Sequence, residues 1–149
     1  QIPLVNNAKN LYKNIYKILN KNGFFCFNLL TLNSFKTLQK IFLEIDDRVF
    51  NGAQLRFGPF HNVPNIISDL NDNRFKEVVV STDNIEVNYK SLNKIRKDFK
   101  EIGISNYYRE KSRSNKNFYK KTTSLFKKLI AKHDYIPVEI EISTFTSWK

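Results

Sequence analysis

The strongest constraint on this chain is a helical stretch that halts at Gly23 and runs straight into the apolar segment GFFCFNLL, residues 23–30. Across residues 7–22, Leu11, Ile15, Ile18 and Leu19 recur at helical spacing, with Tyr12 and Tyr16 flanking them and Lys9, Lys13, Lys17 and Lys21 opposite. Asn7 suits the N-cap and Gly23 the C′ position. Residues 24–30 show no polar alternation until Asn28, which predicts a strand buried on both faces of a parallel sheet. Helix followed by buried strand is half of an α/β repeat.

Helical spacing resumes over residues 34–49 through Phe35, Leu38, Ile41, Phe42 and Ile45, and Gly52, Gly58 and Pro59 break it. Asn62 is placed to cap a short helix with Pro64 in its first turn, running to Asn71. Two strand-like runs follow, residues 75–81 and 84–89. Ser91 then caps a helix over 92–102 closed by Gly103, and a further helix covers 116–132. Residues 136–145 end the pattern as a strand, with Val138, Ile140, Ile142 and Thr144 alternating against Glu139, Glu141 and Ser143. The connection at 104–115 (ISNYYREKSRSN) reads as the one polar, mobile stretch.

Length and composition narrow the field. At 149 residues and 41% hydrophobic, the chain suits one modest domain. Its longest apolar run falls far short of the roughly 20 residues that a membrane-spanning helix needs. A single cysteine, Cys26, makes neither an internal disulfide nor a multi-thiolate zinc site, which favours a reduced compartment. There is no methionine, so Gln1 is not an initiator and the chain is expected to be processed or a fragment. Nothing before Asn7 has the pattern of a signal peptide.

The net charge of +11 is unevenly spread: residues 90–133 hold 14 Lys and Arg against 3 Asp and Glu, and the remainder balances at 11 of each. Lys outnumbers Arg 19 to 6, so part of the basicity follows from a lysine-rich composition rather than from a binding surface. Residues 107–121 (YYREKSRSNKNFYKK) interleave aromatics with six cations, a pattern able to neutralise phosphates while Tyr107 or Tyr108 stacks on a base. A solvated helix start explains the same residues. Asp46 and Asp47, adjacent on one helix, point apart and do not form a catalytic pair.

Taken in order, VNN, KILNKNGFFCFNLL, RFGPFHNVPNIISDL and the terminal PVEIEISTFTSWK resemble the C-terminal half of a class I, S-adenosylmethionine-dependent methyltransferase-like protein. STDNIEVNYKSLNKIRKDFKEIGISN (81–106) and the closing SWK are similar to the subgroup containing the mitochondrial complex I assembly-factor arginine hydroxylase and its alphaproteobacterial relatives. The methyltransferase of biotin synthesis is a more distant resemblance. The likeness implies an incomplete Rossmann-like α/β sheet: strand 24–30, strand 75–89, and the terminal strand inserted antiparallel between them, with a two-helix cap at about 91–133. It covers about half of the family's domain. The glycine-rich turn and acidic residue that hold the cofactor belong to the other half, and Gly23, Gly52, Gly58 and Gly103 are too scattered to form such a turn. The chain departs from its relatives at NDNRF (71–75).

The resemblance also places candidate substrate-binding residues. Asn6 and Asn7 match a V-N-D segment at the carboxyl edge of the sheet, where Asn7 replaces the acid and so removes an anionic partner for a guanidinium. Arg56, Phe60 and His61 fall in the loop and short helix over the active-site mouth, where a neutral imidazole orients a substrate or accepts a proton. As plain structure, Asn7 is an N-cap and His61 a half-buried side chain beside Phe60. Two functions follow. One is a fragment of a methyltransferase-like enzyme, catalysing methyl transfer or protein-arginine hydroxylation linked to complex I assembly, with S-adenosylmethionine as cofactor. Its partners are the other half of the domain and a protein substrate. The other is a non-catalytic basic subunit serving in assembly or on RNA. The implied location is bacterial cytoplasm or mitochondrial matrix.

Overall fold

The computed structural model describes residues 8–54, 56–58, 60–103 and 114–149. Within them lie five helices and three strands: α1 (Ala8–Ile18), β1 (Phe24–Leu30), α2 (Lys36–Phe50), α3 (Val63–Asp72), β2 (Lys76–Tyr89), α4 (Leu92–Glu101), α5 (Lys116–His133) and β3 (Ile136–Trp148). The candidate residues Asn6 and Asn7, and residues 104–113 of the polar connection, fall outside the described residues.

The strands form one sheet in the order β1-β3-β2. β3 runs antiparallel to β1, from Phe24 opposite Trp148 to Leu30 opposite Ile142. The last strand therefore lies between the two earlier ones, as the sequence resemblance implies. β2 is one continuous 14-residue strand, close to the strand 75–89 that the resemblance implies, and Thr82 Oγ1 lies 2.8 Å from Ser143 Oγ across the sheet.

The expectation for residues 24–30 needs correcting. Among the described strands β1 lies at the margin of the sheet, its neighbour is antiparallel, and its burial alternates. Phe25, Phe27 and Leu29 turn toward the helices, whereas Phe24 is 62% exposed and Cys26 is exposed. An apolar run is not proof of two buried faces, because large aromatics also occupy a face that the described residues leave open.

By contacts the chain divides into two compact units. The first comprises Gln1–Ser34, Phe60–Ile85 and Ile140–Lys149. Its core joins Tyr12, Leu29, Ile66, Leu70, Phe75 and Phe145, with Phe25 and Phe27 stacked at 4.7 Å and Phe27 and Phe145 at 5.1 Å. Each such aromatic removes enough apolar surface from water to stabilise the unit by about 1.5–3 kcal/mol. α1 packs with Ile15 and Leu19 on the core, as the spacing predicts, together with Tyr16 and the fully buried Tyr12; of the predicted apolar positions Ile18 is the exception, at 80% exposed. Its exit differs too. The left-handed position is Asn22, at φ 65°, and Gly23 is required for a different reason: a Cβ there would sit 2.9 Å from the Asn20 carbonyl oxygen.

The second unit comprises Phe35–Pro59 and Glu86–Glu139, so α4 and α5 belong with α2. α5 packs on α2. Phe35 and Phe99 are 4.8 Å apart and Phe42 and Phe126 6.0 Å, ring to ring. Ser91 accepts from the Asn93 N–H and Asn115 from the Phe118 N–H, two side-chain N-caps that fix where α4 and α5 begin. Gly103, at φ 78°, follows α4 in the left-handed position expected of a C′ glycine. Among the described residues no helix is long and apolar enough to cross a membrane.

Candidate functional site

In open α/β sheets ligands gather beyond the carboxyl ends of the strands, and β1 ends at Leu30. The segment that follows is tied tightly to β3. The Thr31 N–H donates to the Glu141 carbonyl at 3.0 Å, and the Thr31 hydroxyl donates to the Glu141 carboxylate. Asn33 Nδ2 donates to the same carboxylate at 2.7 Å. The Ser34 hydroxyl donates to the Glu141 carbonyl at 3.1 Å, while the Glu141 N–H approaches Ser34 Oγ at 3.0 Å. Thr31 and Ser34 are both buried, and the loop is pinned through one residue of the strand beside it.

His61 joins this loop from the other side, through an isolated parallel bridge to Thr31. Its Nε2 is buried and has no hydrogen-bond partner among the described residues. Burial pushes the His61 pKa below its usual value, and the negative charge of Asp69 opposes that without reversing it. The imidazole is therefore neutral at pH 7, with an orphaned ring nitrogen at the carboxyl end of β1. Neutral imidazole can accept a hydrogen bond or a proton from a substrate. Phe60 lies beside it in the chain, half-buried.

Arg56 falls in the other unit and is engaged there. Its Nε lies 2.8 Å from Asp46 Oδ2 and 3.0 Å from Oδ1, and Nη2 also donates to the carboxylate. Its guanidinium carbon sits 3.8 Å from the centroid of the Phe118 ring. Asp46 is wholly buried and Asp47 exposed, so the two acids do point apart. The sequence held a signal for this pair that spacing arguments passed over: Asp46 follows Leu38 by eight residues on the apolar face of α2, and an acid there needs a cation.

Glu139 and Glu141 were also hidden. They read as the outward half of an alternating strand, yet no residue of β3 is exposed. Each carboxylate is used: Glu139 accepts from the Thr37 N–H at 3.0 Å and from its hydroxyl, in the first turn of α2, while Glu141 holds Thr31 and Asn33. Burial works to raise the Glu139 pKa, but the Thr37 hydrogen bonds, with help from Lys40, hold it below the usual carboxylate value. Phe35, at the N-cap of α2, is fully buried in the left-handed region at φ 59°, a strained setting for an aromatic residue.

Gly23 is filled by its own turn, while Gly52 and Gly103 face nothing within 4 Å, so none of the three forms a cradle in which a Cβ would meet surrounding structure. No group of three or more His, Cys, Asp or Glu able to hold a metal ion occurs among them.

No family model matches the sequence, and no curated protein matches it. Among solved structures the chain is similar to part of an N-methyltransferase. Phosphoethanolamine N-methyltransferase 2 of Haemonchus contortus, in complex with S-adenosyl-L-methionine, matches at 15% identity and TM-score 0.45, over 100% of this chain and 31% of that one. The same enzyme in complex with phosphomonomethylethanolamine and S-adenosylhomocysteine matches at 13% identity and TM-score 0.43, over 99% of this chain and 31% of that one. The likeness is partial. This chain spans about a third of the methyltransferase.

Proposed function

We propose that these residues form the substrate-side half of a methyltransferase-like domain, and that S-adenosylmethionine is held by a half these 149 residues do not include. The observation that carries this is the sheet order: a terminal strand antiparallel to β1 and lying between β1 and β2, the arrangement that the sequence resemblance implies. It supports the reading because an inserted last strand is a specific way to end an α/β sheet. Methyl transfer is the chemistry we assign. It asks of the protein little beyond positioning and exclusion of water, for which a pinned loop and a partly buried neutral imidazole suffice.

When bound, the cofactor supplies the methyl group. This chain's part is to receive the substrate at the carboxyl end of β1, where His61 Nε2 orients the acceptor or takes its proton, and where Thr31, Asn33 and Glu141 keep the loop fixed. The test is methyl transfer by the whole gene product, with His61→Gln beside the wild type. We expect the turnover rate to fall by about 10²–10⁴-fold with cofactor affinity unchanged. An unchanged rate would remove His61 from the reaction.

A further inference from the structure

α5 carries six lysines and no acidic residue over its 18 positions. Three lysines outside α5 have acids to meet: Lys94 pairs with Asp98 at 2.8 Å, Lys97 with Glu101 at 3.8 Å, and Lys9 with Asp69 and Asp72 at 3.1 and 3.3 Å. Among the described residues none of the six lysines of α5 forms an ion pair. α1 also lacks acids, with three lysines over 11 positions, but its Lys9 is paired with Asp69 and Asp72; α5 has twice as many lysines and none of them is paired among the described residues.

The arrangement is also ordered. At about 100° per residue, Lys116, Lys120 and Lys127 fall in one row and Lys121, Lys128 and Lys132 in another, about a third of a turn farther round. Between the rows lie Asn117, Ser124 and Ala131, small exposed residues seven apart, which leave a shallow floor. The trough runs about 24 Å along the helix. Beside the second row, Lys121, Ser124 and Lys128 meet Arg48 of α2 around a cleft of about 220 Å³. Lys121 Nζ is held there by the Arg48 carbonyl at 3.1 Å. Arg48 itself pairs with Glu44 at the surface, a contact weak enough to yield to a stronger anion.

We propose that this trough binds the phosphodiester backbone of single-stranded nucleic acid, with one phosphate seated in the Arg48 cleft. A linear row of charges on each side of an uncharged floor complements a linear polyanion. An anionic membrane is the poorer match, because a helix lying on lipid needs a free apolar face, and that of α5 is occupied: Phe118, Thr122 and Phe126 are all buried. The site lies on α5 and α2, independent of the proposed methyl-transfer site at β1.

The test uses the full chain and fluorescently labelled oligo(U) and oligo(dT) of about 20 nucleotides, titrated by anisotropy between about 50 and 200 mM KCl. Lys121→Gln/Lys128→Gln/Lys132→Gln is compared with a control of equal charge loss on α1 and its exit, Lys13→Gln/Lys17→Gln/Lys21→Gln, both checked for helix content. We expect log affinity to fall with log salt at a slope of about −3 to −4 in the wild type, and a slope shallower by about 2 in the trough variant. Affinity at the lowest salt should fall at least about tenfold in the trough variant and less than about twofold in the control. Equal binding of RNA and DNA, or a preference for either, supports the site. Equal losses in both variants, no binding at low salt, or tighter binding to phosphatidylserine vesicles than to either oligonucleotide would overturn it.

Discussion

The carboxylate of Asp46, completely buried, is closed off by the guanidinium of Arg56, whose own side chain is only 10% exposed. Removing one partner leaves the other charge buried and alone, which costs about 3–5 kcal/mol. A domain of this size has only about 5–15 kcal/mol of stability in all. We therefore expect Asp46→Ala to lower the urea midpoint steeply. Arg56→Lys should also destabilise, since an ammonium makes neither the forked contact nor the stacking on Phe118. A loss below about 1 kcal/mol for Asp46→Ala would mean that the pair does not hold this unit together.

His61 gives the fold a pH dependence of definite sign. Its pKa in the folded state is depressed by burial, so below about pH 6.5 the unfolded chain binds the proton more readily than the folded one. Stability then drops as the pH falls from 6.5 toward the folded pKa, and levels off below it. Denaturant titrations at several pH values across that window should show the slope in the wild type and its reduction in His61→Gln. An equal slope in both proteins would show that His61 is not the group responsible.

Glu139 acts at a distance along the chain as a cap for α2, because Phe35 at the N-cap offers no side-chain acceptor. Its folded pKa lies below the ordinary value, so the stabilisation is complete above the unfolded pKa and is lost as the pH falls through the folded one. Replacing it with Ala should cost about 1–2 kcal/mol at neutral pH. The cost should shrink in acid. Amide exchange of Thr37 should accelerate in the same variant, and an unaltered rate would count against the cap.

The packing of α1 predicts a contrast between Tyr12 and Ile18, two residues that sequence spacing ranks the wrong way. Burial, aided by Asp69, pushes the Tyr12 hydroxyl pKa up to about 12. Tyr12→Ala should destabilise by about 3–5 kcal/mol. Ile18→Lys, at an exposed position, should change stability by no more than about 0.5 kcal/mol. Thermal unfolding of the two variants separates them, and the reverse order would place the opposite face of α1 on the sheet.

Where the sequence was informative, a local rule decided the outcome. β1 was legible to the residue because Gly23 and the aromatic run bound it, and α4 because Ser91 and Gly103 are capping residues. The position of β3 between β1 and β2 came from the resemblance and not from any spacing, since pairing is non-local. The burial of Tyr12 was illegible for a related reason: a tyrosine counts as buried or flanking only once Phe25, Phe27 and Phe75 stand around it. Of the candidate site, His61 could be singled out from sequence, but the partners of Thr31 and Arg56 lie 110 and 10 residues away, beyond the reach of periodicity.

The methyltransferase reading stands or falls on the cofactor. Isothermal titration of the whole gene product with S-adenosylhomocysteine should give saturable binding at one site per chain, unchanged by His61→Gln. No heat and no shift in thermal unfolding at saturating concentrations would contradict the account.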